Sequence, residues 1–148
     1  MTKKVSNGHI LLVDDEDGIR ATLPPILMDY GFAVTAVGTV SEALARVNGT
    51  EYDVLVSDLN IDKPGDGFLV IAAMRLLQPQ CITLVLTGYP AFDTAVEGIR
   101  HCINDYLVKP VKIDELVNAI NINLKLKARR SPRAGSSERA KKTDGRAQ

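Results

Sequence analysis

The chain has 148 residues, 45% of them hydrophobic and 24% charged, enough for one domain with its own core and too short for two ordinary ones. No apolar run approaches the roughly 18 residues of a membrane span, and two cysteines are too few for a disulfide framework, so a reducing cytoplasm is expected. The formal charge of zero hides a division, because residues 1–124 hold 9 Lys/Arg against 16 Asp/Glu while residues 125–148 hold 9 against 2.

The opening MTKKVSNG passes directly into a strand-like run, so no secretory leader is expected. That run covers 9–13 and is followed by Asp14 and Asp15. A helical pattern spans 16–30, with Gly31 as a candidate C-cap. Pro24 and Pro25 fall inside it. Each removes a backbone donor and crowds the carbonyl four residues back, which predicts a kink, or two short helices, near Leu23. A strand at 33–37 leads to a helix at 40–48, bracketed by Ser41-Glu42 and Asn48-Gly49. The strand at 53–57 runs into Asp58, and the helix at 67–78 stops at Gln78-Pro79. A strand at 82–87 ends on Thr87, a helix follows at 91–100, and a strand at 104–108 ends before Lys109. The last helix, 112–127, opens on Asp114-Glu115, where carboxylates suit the macrodipole. Strict alternation with short connections predicts an α/β fold, a doubly wound parallel sheet of five strands with helices on both faces.

From about Lys127 the pattern dissolves into ARRSPRAGSSERAKKTDGRAQ, which lacks the large apolar residues needed to order itself. The chain therefore divides into a domain over 1–125 and a basic segment over 126–148, read as a disordered tail or a truncated linker. The segment has no interleaved aromatics and no helix-turn-helix pattern, so nucleic acid is not expected as a partner.

Four strand ends carry groups that suit phosphate or its metal. They are Asp14 with Asp15, then Asp58, Thr87 and Lys109. Ligands of open parallel sheets sit outside the carboxyl ends of the strands, so these side chains should converge. Three carboxylates held together need a cation to coexist, and hard oxygens with room for water suit Mg²⁺. Lys109 adds a point charge on backbone stiffened by Pro110, and Thr87-Gly88 adds a hydroxyl where backbone can approach an anion. Taken alone, Asp14-Asp15-Glu16 reads equally well as a helix cap.

Together VDDE at 13–16, VSD at 56–58, LTG at 86–88 and DYLVKP at 105–110 resemble the receiver domain of bacterial two-component response regulators, over residues 9 to about 125. The resemblance implies a flavodoxin-like sheet of order 2-1-3-4-5. It implies a phosphorylation-controlled switch rather than an enzyme. Asp58 would accept a phosphoryl group from a sensor histidine kinase or a histidine phosphotransfer protein. Asp14, Asp15 and Asp58, with the Asn60 carbonyl, would hold Mg²⁺. Lys109 would pair with the phosphoryl group, the Thr87 hydroxyl would move to bond it, and Tyr106 would turn inward with it. Asn60 and Tyr89 flank the approach of water and would tune the phosphoryl lifetime. The implied output surface comprises the fourth helix, fifth strand and fifth helix, from about Ala91 to Asn123, with homodimerisation on phosphorylation as a further expectation.

Three features depart from the resemblance. The loop LNIDKPGDGF after Asp58 is one residue longer than the family spacing and brings Asp62 near the site, so an extra ligand or a displaced loop is raised. Pro24-Pro25 puts partner docking in doubt. Cys81 and Cys102 precede neighbouring strands and are read as buried free thiols. Two other classes fit less well. An aspartate-nucleophile phosphatase would want an acid where Asn60 stands, and a nucleotide or flavin binder would want glycines where DDEDG stands.

Overall fold

A computed structural model describes residues 6–88 and 103–130. In chain order the elements are β1 (His9–Val13), α1 (Asp17–Asp29), β2 (Ala33–Val37), α2 (Val40–Gly49), β3 (Val54–Asp58), α3 (Gly67–Leu77), β4 (Ile82–Thr87), β5 (Asp105–Val108) and α4 (Ile113–Arg130). The helix expected at 91–100 lies outside the described residues, so α4 is the last helix of the sequence pattern. All five strands are parallel, in the order β2-β1-β3-β4-β5.

The pleat sorts each strand between two layers. Ile10, Leu12, Val54, Val56, Ile82, Leu84 and Leu86 face α1 and α4, where Leu23, Leu27, Leu116 and Ile120 meet them. Leu11, Val13, Leu55 and Val85 face the other way, onto Ala43 and Val47 of α2 and Val70, Ile71 and Met74 of α3. Because both faces are covered, β1, β3 and β4 are buried almost throughout and read as unbroken apolar runs. The edge strands β2 and β5 are only partly buried.

Two local expectations need correcting. Helix α1 runs uninterrupted from Asp17 to Asp29 with Pro24 and Pro25 inside it, not as two short helices. The carbonyls that lose their donors belong to Arg20 and Ala21, neither of them buried, while Leu23 and Leu27 anchor the helix to the core. Its end is a Schellman motif: Gly31 N–H donates to the Met28 carbonyl and Phe32 N–H to the Leu27 carbonyl, with Gly31 at φ +97°. The second correction moves the N-cap of α2, which begins at Val40 as expected, from Ser41 to Thr39, whose hydroxyl accepts the Glu42 N–H at 3.0 Å.

Gln78, at the end of α3, joins three elements. Its Oε1 accepts the Tyr52 N–H, and its Nε2 donates to the carbonyls of Val47 and Thr50. Helix α4 continues to Arg130, past the expected end near 127, so Lys127, Arg129 and Arg130 sit in its last turn and complement the negative helix end. The boundary read at 125–126 thus falls within a helix. None of the described helices is long and apolar enough to cross a membrane.

Candidate functional site

Register explains why distant residues meet. Val13 pairs with Ser57, so the residues that follow, Asp14 and Asp58, leave adjacent strands side by side, about 4.8 Å apart by ordinary strand spacing. On the far edge, Thr87 pairs with Val108, and the Lys109 N–H donates to the Thr87 carbonyl at 2.8 Å. Lys109 therefore starts two strands away from β3, and its long stem crosses the end of β4 to reach the acids.

The acids and the amine come together as the strand ends suggest. Carboxylate oxygens of Asp14, Asp15 and Asp58 lie within 4.8 Å of one another; Asp14 and Asp58 are buried and Asp15 is exposed. The Lys109 ammonium donates to Asp58 Oδ2 at 2.9 Å and to Glu16 Oε1 at 2.8 Å. It also sits 2.8 Å from Asp14 Oδ2, in a charge contact rather than a hydrogen bond. Burial pulls the Lys109 ammonium down, but its contacts with Asp14, Glu16 and Asp58 outweigh that and raise its pKa. For Asp14 burial dominates and raises the carboxyl, with Lys109 and the Glu16 N–H opposing.

Glu16 and Arg20 are the residues that sequence reasoning missed. Glu16 stands at the N-cap of α1 yet makes no capping bond; its carboxylate turns to Lys109 instead. The capping interpretation of the acidic run therefore fails at this residue. Arg20 donates to the Asp14 carbonyl at 2.9 Å and pairs with Asp17, bracing the end of β1. Its guanidinium lies against Gly38, where a Cβ would come within 2.7 Å of Nη1. An Arg one turn into the helix was the available signal, but nothing in its spacing tells which carbonyl it reaches.

The remaining expected residues fall as follows. Thr87 is buried at the end of β4. Tyr106 is half-buried on β5 and packs against the cluster beneath α2 and α3. The Asn60 N–H donates to Asp58 Oδ1 at 3.1 Å, and its side-chain oxygen accepts the Gly65 N–H at 2.7 Å. Tyr89, Cys102 and residues 91–100 lie outside the described residues. Cys81 is a buried free thiol. Asp62 is exposed and stands apart from the acidic group, its N–H donating to Asp66 Oδ2 at 2.9 Å.

The acidic group fits a hard divalent cation. Asp14 Oδ2 is fully buried, and the cation that meets it among the described residues is the Lys109 ammonium, which Glu16 and Asp58 share. One ammonium does not balance the three Asp carboxylates and Glu16.

A 2-1-3-4-5 parallel sheet with this rim of acids and one lysine defines the class of CheY-like signalling domains. The fold matches a CheY-like receiver domain from Methanospirillum hungatei with a TM-score of 0.75, over 82% of this chain and 97% of that one, at 24% identity. The family profile of the response regulator receiver domain matches residues 10–121, and the chain belongs to that family. Receiver domains act as phosphoacceptor switches in two-component signalling.

Among curated relatives, the alginate biosynthesis transcriptional regulatory protein AlgB of Pseudomonas putida is 35% identical over 111 residues, 75% of this chain and 25% of that protein. The match thus spans about a quarter of the relative's length. A response regulator from Burkholderia pseudomallei, solved with a phosphorylated aspartic acid, a calcium ion and citrate, is 28% identical with a TM-score of 0.71, over 84% of this chain and 74% of that one.

Proposed function

We propose that this chain is a cytoplasmic phosphorylation-controlled switch in which Asp58 accepts a phosphoryl group from a sensor histidine kinase or a histidine phosphotransfer protein. The observation that carries it is the Lys109 ammonium, 2.9 Å from Asp58 Oδ2 and 2.8 Å from Asp14 Oδ2, with Asp15 grouped beside those two carboxylates. In the reaction an Asp58 oxygen forms a P–O bond as the P–N bond of phosphohistidine breaks, and the electron pair leaves on the imidazole. Such transfer passes through a loose, charge-spread transition state, so positioning and neutralisation do the catalysis. Asp14, Asp15 and Asp58, with the Asn60 carbonyl, would hold Mg²⁺, which supplies positive charge for the phosphoryl oxygens. Lys109 then pairs with the phosphoryl group and the Thr87 hydroxyl bonds it.

Roughly two added negative charges at Asp58 bias Thr87 and, through β4 and β5, Tyr106. The output surface is the segment 91–100 with β5 and α4, and a phosphorylation-driven homodimer uses the same face. Asn60 and Tyr89 set the lifetime. In this reading the chain is a phosphoacceptor switch rather than an enzyme, with self-phosphorylation and self-dephosphorylation as its chemistry.

Incubation with Mg²⁺ and acetyl phosphate, followed by mass spectrometry, tests this. One base-labile phosphoryl adduct is expected, and none in Asp58→Asn. No adduct on the parent chain, or an adduct that survives Asp58→Asn, would overturn the reading. Sustained turnover of phosphomonoesters would favour a phosphatase instead.

A further inference from the structure

We infer that Asp66 is a positioning residue whose carboxylate aims the Asn60 carbonyl and so sets how tightly the acidic rim holds a divalent cation. This rests on the proposed function, in which that carbonyl is a cation ligand.

Asp66 occupies the N-cap position of α3, where an aspartate ordinarily accepts amide protons from the first turn of its own helix. Here it makes no such bond, and its backbone is already helical at φ −72° and ψ −13°. The carboxylate turns back onto the preceding loop. Oδ1 accepts the Ile61 N–H at 2.7 Å, and Oδ2 accepts those of Asp62 and Lys63, each at 2.9 Å. Three consecutive amides on one charged acceptor make a strong clamp.

The first of those bonds carries the consequence. The Ile61 N–H and the Asn60 carbonyl belong to one peptide group, which is planar and trans, so they point in opposite directions. With the N–H held on Asp66, the Asn60 carbonyl must face away from Asp66. The rest of Asn60 is held as well, through its N–H on Asp58 and its side-chain oxygen on Gly65. Beneath it the loop is closed by the Gly67 N–H on the Leu59 carbonyl at 2.9 Å. Gly67 sits so close to the end of β3 that a Cβ would lie 2.1 Å from the Asp58 carbonyl oxygen. Leu59 and Ile61 are buried anchors on either side of Asn60. The loop is thus held at several points, and Asp66 is the group that orients the Asn60–Ile61 peptide.

Direct Mg²⁺ titration of the full chain, by calorimetry and by backbone-amide NMR, tests the inference without any phosphoryl donor. Asp66→Ala should weaken Mg²⁺ binding about tenfold or more, the range typical of groups that orient a metal's ligands. Asp66→Asn keeps an acceptor for the Ile61 N–H and should recover most of the affinity. Thermal melts without Mg²⁺ separate the roles, since a merely structural Asp66 would lower the melting temperature and leave affinity unchanged. Affinity within twofold of the parent in Asp66→Ala, or no recovery in Asp66→Asn, overturns the inference. Should Asp66→Ala fail to fold, Asp66→Ser, too short to reach Ile61, replaces it under the same criteria. A parent chain that binds no Mg²⁺, or whose binding survives Asp15→Asn, sinks the underlying reading instead, and with it the inference.

Discussion

Thr83 sits on β4 with its hydroxyl fully buried and, among the described residues, no hydrogen-bond partner for Oγ1, although its N–H is satisfied by Asn104 Oδ1 at 2.8 Å. A buried polar atom left unpaired costs about 1–3 kcal/mol, whereas a methyl of the same shape costs nothing in desolvation. Thr83→Val should therefore stabilise the chain by about 1 kcal/mol, seen as a higher urea midpoint at unchanged m-value. Stability equal to or below the parent's would contradict that account of the hydroxyl. Legibility at this scale follows from where each group sits. Asp14, Asp15, Asp58 and Lys109 could be read because a strand end fixes where its next residue emerges. Glu16, Arg20 and Asp66 could not, since each side chain folds back on a partner whose position depends on the completed fold.

Helix α1 shows the same division among elements. Its length and its Gly31 stop were readable, but the break at Pro24-Pro25 was not realised, because Leu23 and Leu27 bury into the core and hold the turn together. The local cost remains in place. Pro25 is exposed and withholds a donor from the Ala21 carbonyl. Proline in a helix interior is worse than alanine by about 3 kcal/mol, offset by about 0.4–1 kcal/mol through a stiffer unfolded chain. Partial relaxation of the helix lowers the remainder, so Pro25→Ala should raise stability by about 1–2 kcal/mol in urea unfolding; a loss of stability would show that the proline fits its site without penalty. At α2 the cap signal was present in the sequence, as Thr39-Val40-Ser41-Glu42, and Ser41 was simply the wrong hydroxyl of the two.

For the whole molecule, sheet order and layering were legible because interior strands covered on both faces cannot be anything but continuous apolar runs. Global stability should also carry a mark of that burial in its alkaline limb. Burial pushes the Cys81 thiol from 9.0 up to about 12, with Lys127 opposing and Asp53 adding. The folded state thus holds this proton more tightly than the unfolded chain does. The contribution is complete below pH 9 and is lost as pH climbs from 9 toward 12, at up to about 1.4 kcal/mol per pH unit. In urea titrations above pH 9, Cys81→Ala should lose stability less steeply than the parent, and parallel curves would refute the assignment. At the opposite end of the sheet, three carboxylates from Asp14, Glu16 and Asp58 meet one ammonium, with Asp15 beside Asp14 and Asp58. The domain thus gathers like charges at one place, where they repel one another. On the proposed reading, amides at Asp14 and Asp15 would relax the repulsion and remove cation binding together, so ease of folding and readiness to react would pull against each other on the same few atoms.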